Sequence, residues 1–213
     1  MGSGDEQDAF KPAGPAAVSQ PRGARARQAI LEAADDLLVE QGFAGVTIEG
    51  IAARAGVAKQ TIYRWWTSKV EVLMDGLLDD AEQDLPPIDT GQTAQDLREH
   101  LSRLAQFLAH DPAGQVLRAL IGHAQHDPRV ARQLEQRYFG PRRDQDREIL
   151  QRGLQRGEIK PPLDADAALD ALEGPIYYRA LIADTEADQT FINALIDHTF
   201  PTLTSTREIT RNS

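Results

Sequence analysis

The stretch Thr47 to Lys69, TIEGIAARAGVAKQTIYRWWTSK, constrains the fold most, because it reads as two short helices meeting across a tight turn. Ile48, Ile51, Ala52 and Ala55 recur at helical spacing; Thr47 precedes them as an N-cap, and Glu49 places an acid in the first turn, where the helix dipole favours it. This predicts a helix from Thr47 to Ala55. Gly50 inside it lowers helix propensity by about 1 kcal/mol relative to Ala, which a close packing contact would have to offset. Gly56 supplies the backbone freedom of a sharp turn, Val57 can fill the angle, and Ala58 begins a second helix whose inward residue is Ile62. The small residues Ala52, Ala55 and Gly56 let the two helices cross steeply.

The second helix offers Lys59, Gln60, Thr61, Tyr63, Arg64 and Trp65 to its outside. Each has a donor of the kind that bonds a base edge or a phosphate. A purely structural corner would have no need of so many donors on its outer face. The segment therefore reads as a helix-turn-helix. Tyr63 and Trp65 could instead pack, and for Trp66 packing is the better reading.

From about Arg25 to Leu78 the chain resembles the TetR family of one-component transcriptional regulators. The resemblance is carried by AILEAADDLLVEQGFAGVTIEGIAARAGVAKQTIYRWWTSKVEVL, with Gly-Phe-x-x-x-Thr leading into the motif and Tyr-x-x-Trp-x-Ser-Lys leaving it. Trp66 stands where the family more often has Phe, and Trp65 where a smaller ring is usual. By motif position the resemblance implies base contacts from Lys59, Gln60 and Thr61, phosphate contacts from Thr47, Tyr63, Trp65 and Lys69, and either from Arg64. It also implies a small-molecule effector and a homodimer whose last two long helices pair with their symmetry mates.

The 213 residues, 41% of them hydrophobic, suffice for one or two domains with a sizeable core. The abundance of Ala, Leu, Gln, Arg, Glu and Asp, with few aromatics and no sustained alternation, predicts an all-α fold. This means an N-terminal three-helix helix-turn-helix domain (22–70) and a larger C-terminal helical bundle (71–213), after a tail at 1–21 without regular structure. The absence of Cys excludes disulfides and thiolate chemistry. No apolar run approaches membrane-spanning length and no signal-peptide core opens the chain, so a cytoplasmic protein without a membrane partner is expected.

The formal charge of −10 looks unsuited to a DNA binder until it is divided along the chain. Residues 22 to 70 hold seven basic and five acidic side chains, a net of +2, so the remainder carries −12. Phosphate attraction depends on which face is positive, and the acidic remainder disfavours promiscuous binding. Arg22, Arg25 and Arg27 could form a basic arm or a solvated helix start.

Before the motif, Ile30, Leu31, Ala34, Leu37 and Leu38 form the apolar stripe of a helix from about Ala24 to Gln41, stopped by Gly42. After it, Ser68 and Glu71 form a capping box for a helix that ends before Pro86-Pro87 and connects the two domains. Further helices are expected at Thr93–Ala109, Ala113–Gln125, Pro128–Gly157, Asp164–Ala183 and Ala187–Leu203, with disturbances at Gly140-Pro141 and Gly174-Pro175. The last two have apolar faces wide enough to predict a dimer interface through Leu172, Ile176, Phe191, Leu195 and Ile196.

His100 shares a face with Leu97, Leu104 and Phe107, so it points inward, either bonded within the core or touching a ligand. Candidate pocket residues are His100, Leu104, Phe107, Leu117, Ile121 and Tyr177. His123 and His126 have a metal-like spacing, but Pro128 ends the helix there, and polar residues at a helix end explain them better. There is no Gly-x-Ser-x-Gly, phosphate-cradling Gly loop or His-Glu-x-x-His, and neither an enzyme nor a resident cofactor is expected. The reading is a homodimeric, ligand-responsive repressor on a near-palindromic operator. The alternative is a helical dimer that acts through protein partners, or carries a small molecule, without operator binding.

Overall fold

The computed structural model describes residues 22–84 and 88–204; the expected N-terminal tail at 1–21 and Pro86-Pro87 lie outside them. The order is α1 (Arg22–Gly45), α2 (Ile48–Ala55), α3 (Lys59–Tyr63), α4 (Lys69–Asp84), α5 (Thr93–His110), α6 (Pro112–Ala124), α7 (Pro128–Leu134), α8 (Gly140–Gln155), α9 (Ala165–Tyr178) and α10 (Gln189–Thr204). No strand occurs among the described residues. The all-α expectation holds.

Local chemistry sets the helix ends. Gly42 leaves the helical region at φ 68°, ψ 171°, so the first helix stops there as expected and resumes as a turn through Gly45. Ser68 Oγ accepts from Glu71 N–H at 3.3 Å, while the Glu71 carboxylate reaches back to Thr67 N–H at 2.6 Å, a capping box displaced by one residue. Asp111, Asp127 and Asp164 cap α6, α7 and α9 through their carboxylates. The Asp127 cap and the Phe43–His123 ring contact at 4.8 Å give that His-rich helix end structural employment.

Gly140-Pro141 does not split the long helix. A π-turn at Glu135–Phe139 precedes it, Gly140 N–H bonds Glu135 C=O, and Pro141, which has no N–H to give, follows this widened turn inside an unbroken helix. Likewise α9 contains Pro175 and runs on into a π-turn at Arg179–Ala183.

The packing centres on α4. Val72, Leu73, Met74 and Leu77 are fully buried, and the helix packs against α1 on one side and α6 on the other. The apolar cluster that starts at Ile30 is therefore continuous through α4 to Leu117 and on to Ile196. The division expected at residue 70 runs through the start of this shared helix.

Leu172, Ile176 and Ile196 correct the expected dimer surface: each is 1% exposed and belongs to the protomer's own core. Phe191 and Leu195 are half-buried against that core. Helical spacing predicted the wide apolar faces, but α5 and α8 cover much of them within one chain. What stays exposed along one stripe of α9 and its extension is Ala167, Ala171, Gly174, Tyr178 (59%) and Ile182 (72%), beside the exposed acids Asp166 and Asp170.

Two close approaches yield predictions. A Cβ on Gly114 would sit 1.8 Å from the Phe107 carbonyl oxygen, where α6 begins against the end of α5. Gly114→Ala should destabilise the protein by roughly 3 kcal/mol, seen as a fall in the urea midpoint, and an unchanged midpoint would contradict this contact. Asp35 lies under Gly76 where α1 meets α4; burial, reinforced by Asp80, Asp36 and Glu32, pushes its carboxyl up to about 7, and Oδ1 has no hydrogen-bond partner. Between about pH 4 and 7 the unfolded chain has lost this proton while the folded chain keeps it, so the group's contribution to stability falls as pH rises. Asp35→Asn should therefore raise Tm at pH 7.5 by more than at pH 5, whereas equal shifts would show that ionisation plays no part.

Candidate nucleic-acid interface

The chain turns from α2 into α3 through backbone geometry that the sequence specifies locally. Thr47 is extended (φ −135°, ψ 154°) and its Oγ1 accepts from Gly50 N–H at 3.0 Å. A Cβ on Gly50 would lie 3.1 Å from the capping Thr47 Oγ1 and at ordinary contact distance, 3.5 Å, from Leu37 Cδ1 on α1. At the other end Gly56 is left-handed at φ 66°, and Val57 N–H bonds Ala52 C=O at 3.0 Å, closing the helix. Ala58 is extended, and α3 follows as a helix of five residues.

Ile62, fully buried, fixes the inner face of α3. Because a helix has 3.6 residues per turn, pinning that residue turns its neighbours outward. Gln60, Tyr63 (54% exposed), Arg64 and Trp65 (40% exposed) stand on the surface together, with Thr61 half-buried between them. Gln60, Thr61, Tyr63 and Arg64 have no side-chain hydrogen bond or ion pair with the described residues. Their donors are free for an external acceptor.

Two expected contact residues are differently placed. Lys59 is exposed but donates to Glu49 at 2.7 Å, and the paired ammonium holds the Glu49 carboxyl below its usual range. Lys69 does not stand free at the start of α4. Its ammonium donates to the carbonyls of Phe43 (2.6 Å) and Val46 (2.8 Å) and lies 4.3 Å from the centre of the Phe43 ring. Burial pushes its pKa down. The first turn after Gly42 exposes carbonyl oxygens that no helix satisfies, and sequence position alone does not reveal that Lys69 caps them.

Trp66, in contrast to Trp65, is buried (3% exposed), and its indole N–H donates to Asp75 Oδ2 at 2.8 Å. Asp75 also accepts from Arg137 at 2.6 Å and lies 3.6 Å from Arg27, whose guanidinium bonds Asp79 at 2.6 Å. Burial would push the Asp75 carboxyl up; the Arg137 and Trp66 hydrogen bonds and the two positive charges outweigh it and leave it below the usual carboxylate range. One carboxylate thus ties the exit of α3 to α1 and to the π-turn before α8. Arg27 is accordingly an internal ion-pair partner, while Arg25 remains exposed.

Of the six expected pocket residues, three come together. His100, Leu104 and Tyr177 line a small cavity of about 40 Å³ with Phe139, Arg142, Arg143, Asp146 and Glu173. Phe107 and Leu117 are instead interior packing residues, and Ile121 is half-buried against the same core. Asp146 and Glu173 went unpredicted although a signal existed: Glu173 shares the inward stripe of Leu169 and Ile176, and Asp146 that of Ile149 and Leu150. Burial pushes Asp146 up to about 6, against the opposing charge of His100. Burial also pushes the nearby Tyr138 phenol up to about 12 and Tyr177 well above its ordinary value.

Among the described residues no helix is long and apolar enough to cross a membrane. Residues 30–74 match the family described as bacterial regulatory proteins, tetR family, and residues 87–199 match the tetracyclin repressor-like C-terminal domain. The chain is 42% identical over 181 residues to the HTH-type transcriptional regulator YdeS of Bacillus subtilis, covering 85% of this chain and 91% of that protein. The crystal structure of the TetR family transcription regulator SCO0332 superimposes with a TM-score of 0.69 at 33% identity, over 86% of this chain and all of that one. The fold is shared at 21% identity and TM-score 0.64 with the FadR regulator of Bacillus subtilis solved in complex with stearoyl-CoA, over 81% of this chain and 97% of that one. The chain belongs to the TetR family of transcriptional regulators.

Proposed function

We propose that this regulator is a repressor that binds a near-palindromic operator as a homodimer and is released by a small molecule held in its C-terminal body. The observation that carries the reading is the unengaged donor set on α3, Gln60, Thr61, Tyr63 and Arg64, held outward by Ile62. In a twofold dimer, two such helices would enter successive major grooves about 34–36 Å apart. Gln60 and Thr61 would read base edges, and Tyr63, Arg64 and Trp65 would hold phosphates. Thr47 and Lys69 would act through structure, one capping α2 and the other fastening the α1–α2 loop.

The partner copy would cover the face left open on α9, Ala171, Gly174, Tyr178 and Ile182, with Phe191 and Leu195 at its margin. An apolar, small-residue face of this kind suits close helix pairing and is poorly suited to water. The division into a DNA-binding unit at 22–70 and an effector and dimerisation unit from 71 follows from the same reading.

Release would follow from population shift. A cavity of about 40 Å³ is far below the roughly 300–1,000 Å³ of pockets that enclose drug-sized ligands. An organic effector would therefore select a more open arrangement of the helices around His100 and Tyr177. The π-turn at Glu135–Phe139 borders this cavity and carries Arg137, so its movement would be felt at Asp75 and Trp66. Among TetR-family regulators, the FadR structure holds an acyl-CoA. This chain's effector would be a molecule that the His100–Tyr177 region admits on opening.

Selection of bound fragments from genomic DNA should enrich a near-palindromic site. On that site Tyr63→Ala and Arg64→Ala should weaken binding to all sequences, with Arg64→Ala lowering the salt slope by about 1, while Gln60→Ala should alter sequence preference. Absence of enrichment, or anisotropy titrations identical to the parent for all three variants, would remove the assignment. Glu49→Gln should release Lys59 for phosphate, tightening binding and steepening its salt dependence; a weaker complex would count against this placement. Ile182→Glu should shift sedimentation from dimer to monomer, and an unchanged dimer would exclude the α9 face.

A further inference from the structure

Three polar side chains meet inside the helical bundle and leave two buried atoms without a hydrogen-bond partner. His100 comes from α5, Asp146 from α8 and Glu173 from the middle of α9. One imidazole nitrogen and one oxygen from each carboxylate lie within 4.8 Å of one another. His100 is 9% exposed, with Nδ1 3.5 Å from Asp146 Oδ1 and Nε2 3.5 Å from Glu173 Oε1. Both Nε2 and Glu173 Oε1 are buried and have no hydrogen-bond partner.

A structural polar network would leave few such atoms unsatisfied, because each uncompensated buried group is costly. Two ligand atoms bound at about 2.0–2.2 Å to a tetrahedral ion stand roughly 3.3–3.5 Å apart, close to the Nε2–Oε1 separation; Asp146, which faces Nδ1, would turn its carboxylate toward the same ion. A divalent ion would add its charge to that of Arg142 and Arg143, which line the same cavity, opposite the two largely buried carboxylates. Three protein ligands leave at least one coordination position, and the adjoining cavity of about 40 Å³ has room for water or one donor atom of a bound molecule.

We propose that His100, Asp146 and Glu173 form a binding site for one divalent transition cation per chain. The donor set selects the class. An imidazole with two carboxylates suits zinc or manganese, whereas magnesium and calcium prefer oxygen-only shells. An ion held by α5, α8 and α9 would fasten the bundle core beside the π-turn that carries Arg137. The site is a property of the C-terminal body, and its existence does not depend on operator binding.

The test uses the full chain, stripped with a chelator, dialysed, and titrated with zinc or manganese ions in the absence of DNA. Calorimetry should give one site per chain, with a rise in Tm that magnesium does not reproduce. Cobalt ions should give visible d–d bands of an imidazole-containing site. His100→Ala should lower affinity by about tenfold or more. Asp146→Asn and Glu173→Gln keep side-chain size and remove the charge, so they should fold, as judged by helical circular dichroism, and lose both the heat and the cobalt spectrum. His126→Ala should bind as the parent does. Absence of heat and thermal shift with both ions would overturn the proposal. So would undiminished binding by the folded Asp146→Asn and Glu173→Gln variants, which would place the ion on surface acids elsewhere.

Discussion

The interaction on which the rest of the structure depends is the double-sided burial of α4. Val72, Leu73, Met74 and Leu77 are all withdrawn from water in one helix that rests on α1 and α6 together. Such a helix cannot present one apolar stripe to one neighbour; it needs a face broad enough for two, which its valines and leucines supply. The consequence is mechanical. Interiors packed to crystal-like density transmit displacement and do not absorb it, so a shift of the bundle moves the helix that carries α3. At about 25 cal/mol per Å² of apolar surface, the buried residues of α4 also make separating the two bodies costly.

Polar contacts give this packing a direction. Asp75 receives Trp66 from the motif side and Arg137 from the bundle side, so the same carboxylate senses both. Arg137 sits in a π-turn, a local widening that helices retain where an altered backbone register is useful. Tyr138 and Phe139 from that turn pack edge-to-face, and Phe139 does the same with Tyr177 at the small cavity. Steric and electrostatic links thus run from the His100 region to the surface helix. Spatial continuity of this kind describes a route for coupling between the bundle and the motif.

Much of this was legible in the residues because the signals are local. Thr47, Gly42, Gly56 and Ser68 act through their own backbone neighbourhood, and the helix boundaries they mark differ from those observed by a residue or two. Ile62 as the inward residue of α3 followed from periodicity. What depended on distant partners was not legible. Helical spacing identified the broad apolar faces of α9 and α10, yet could not say that α5 and α8 would claim Leu172, Ile176 and Ile196 for the protomer core. Lys69 was assigned by motif position to a phosphate, whereas the carbonyls of Phe43 and Val46, more than twenty residues away, engage its ammonium. The acids facing His100 were discernible as charges on inward stripes, but only the fold brings the two of them, from α8 and α9, to the histidine of α5.

The central claim is that one continuous core joins the motif to the bundle. Both tryptophans, Trp65 and Trp66, lie at the exit of α3, so their fluorescence reports on the motif and its junction with α4, while far-ultraviolet circular dichroism is dominated by the helices from α5 onward. Urea unfolding followed by both signals at one protein concentration tests the claim most directly. A shared core predicts superimposable transitions with one midpoint. A tryptophan transition complete while the bundle remains helical would contradict it, because the motif would then be an independent unit that α4 merely tethers.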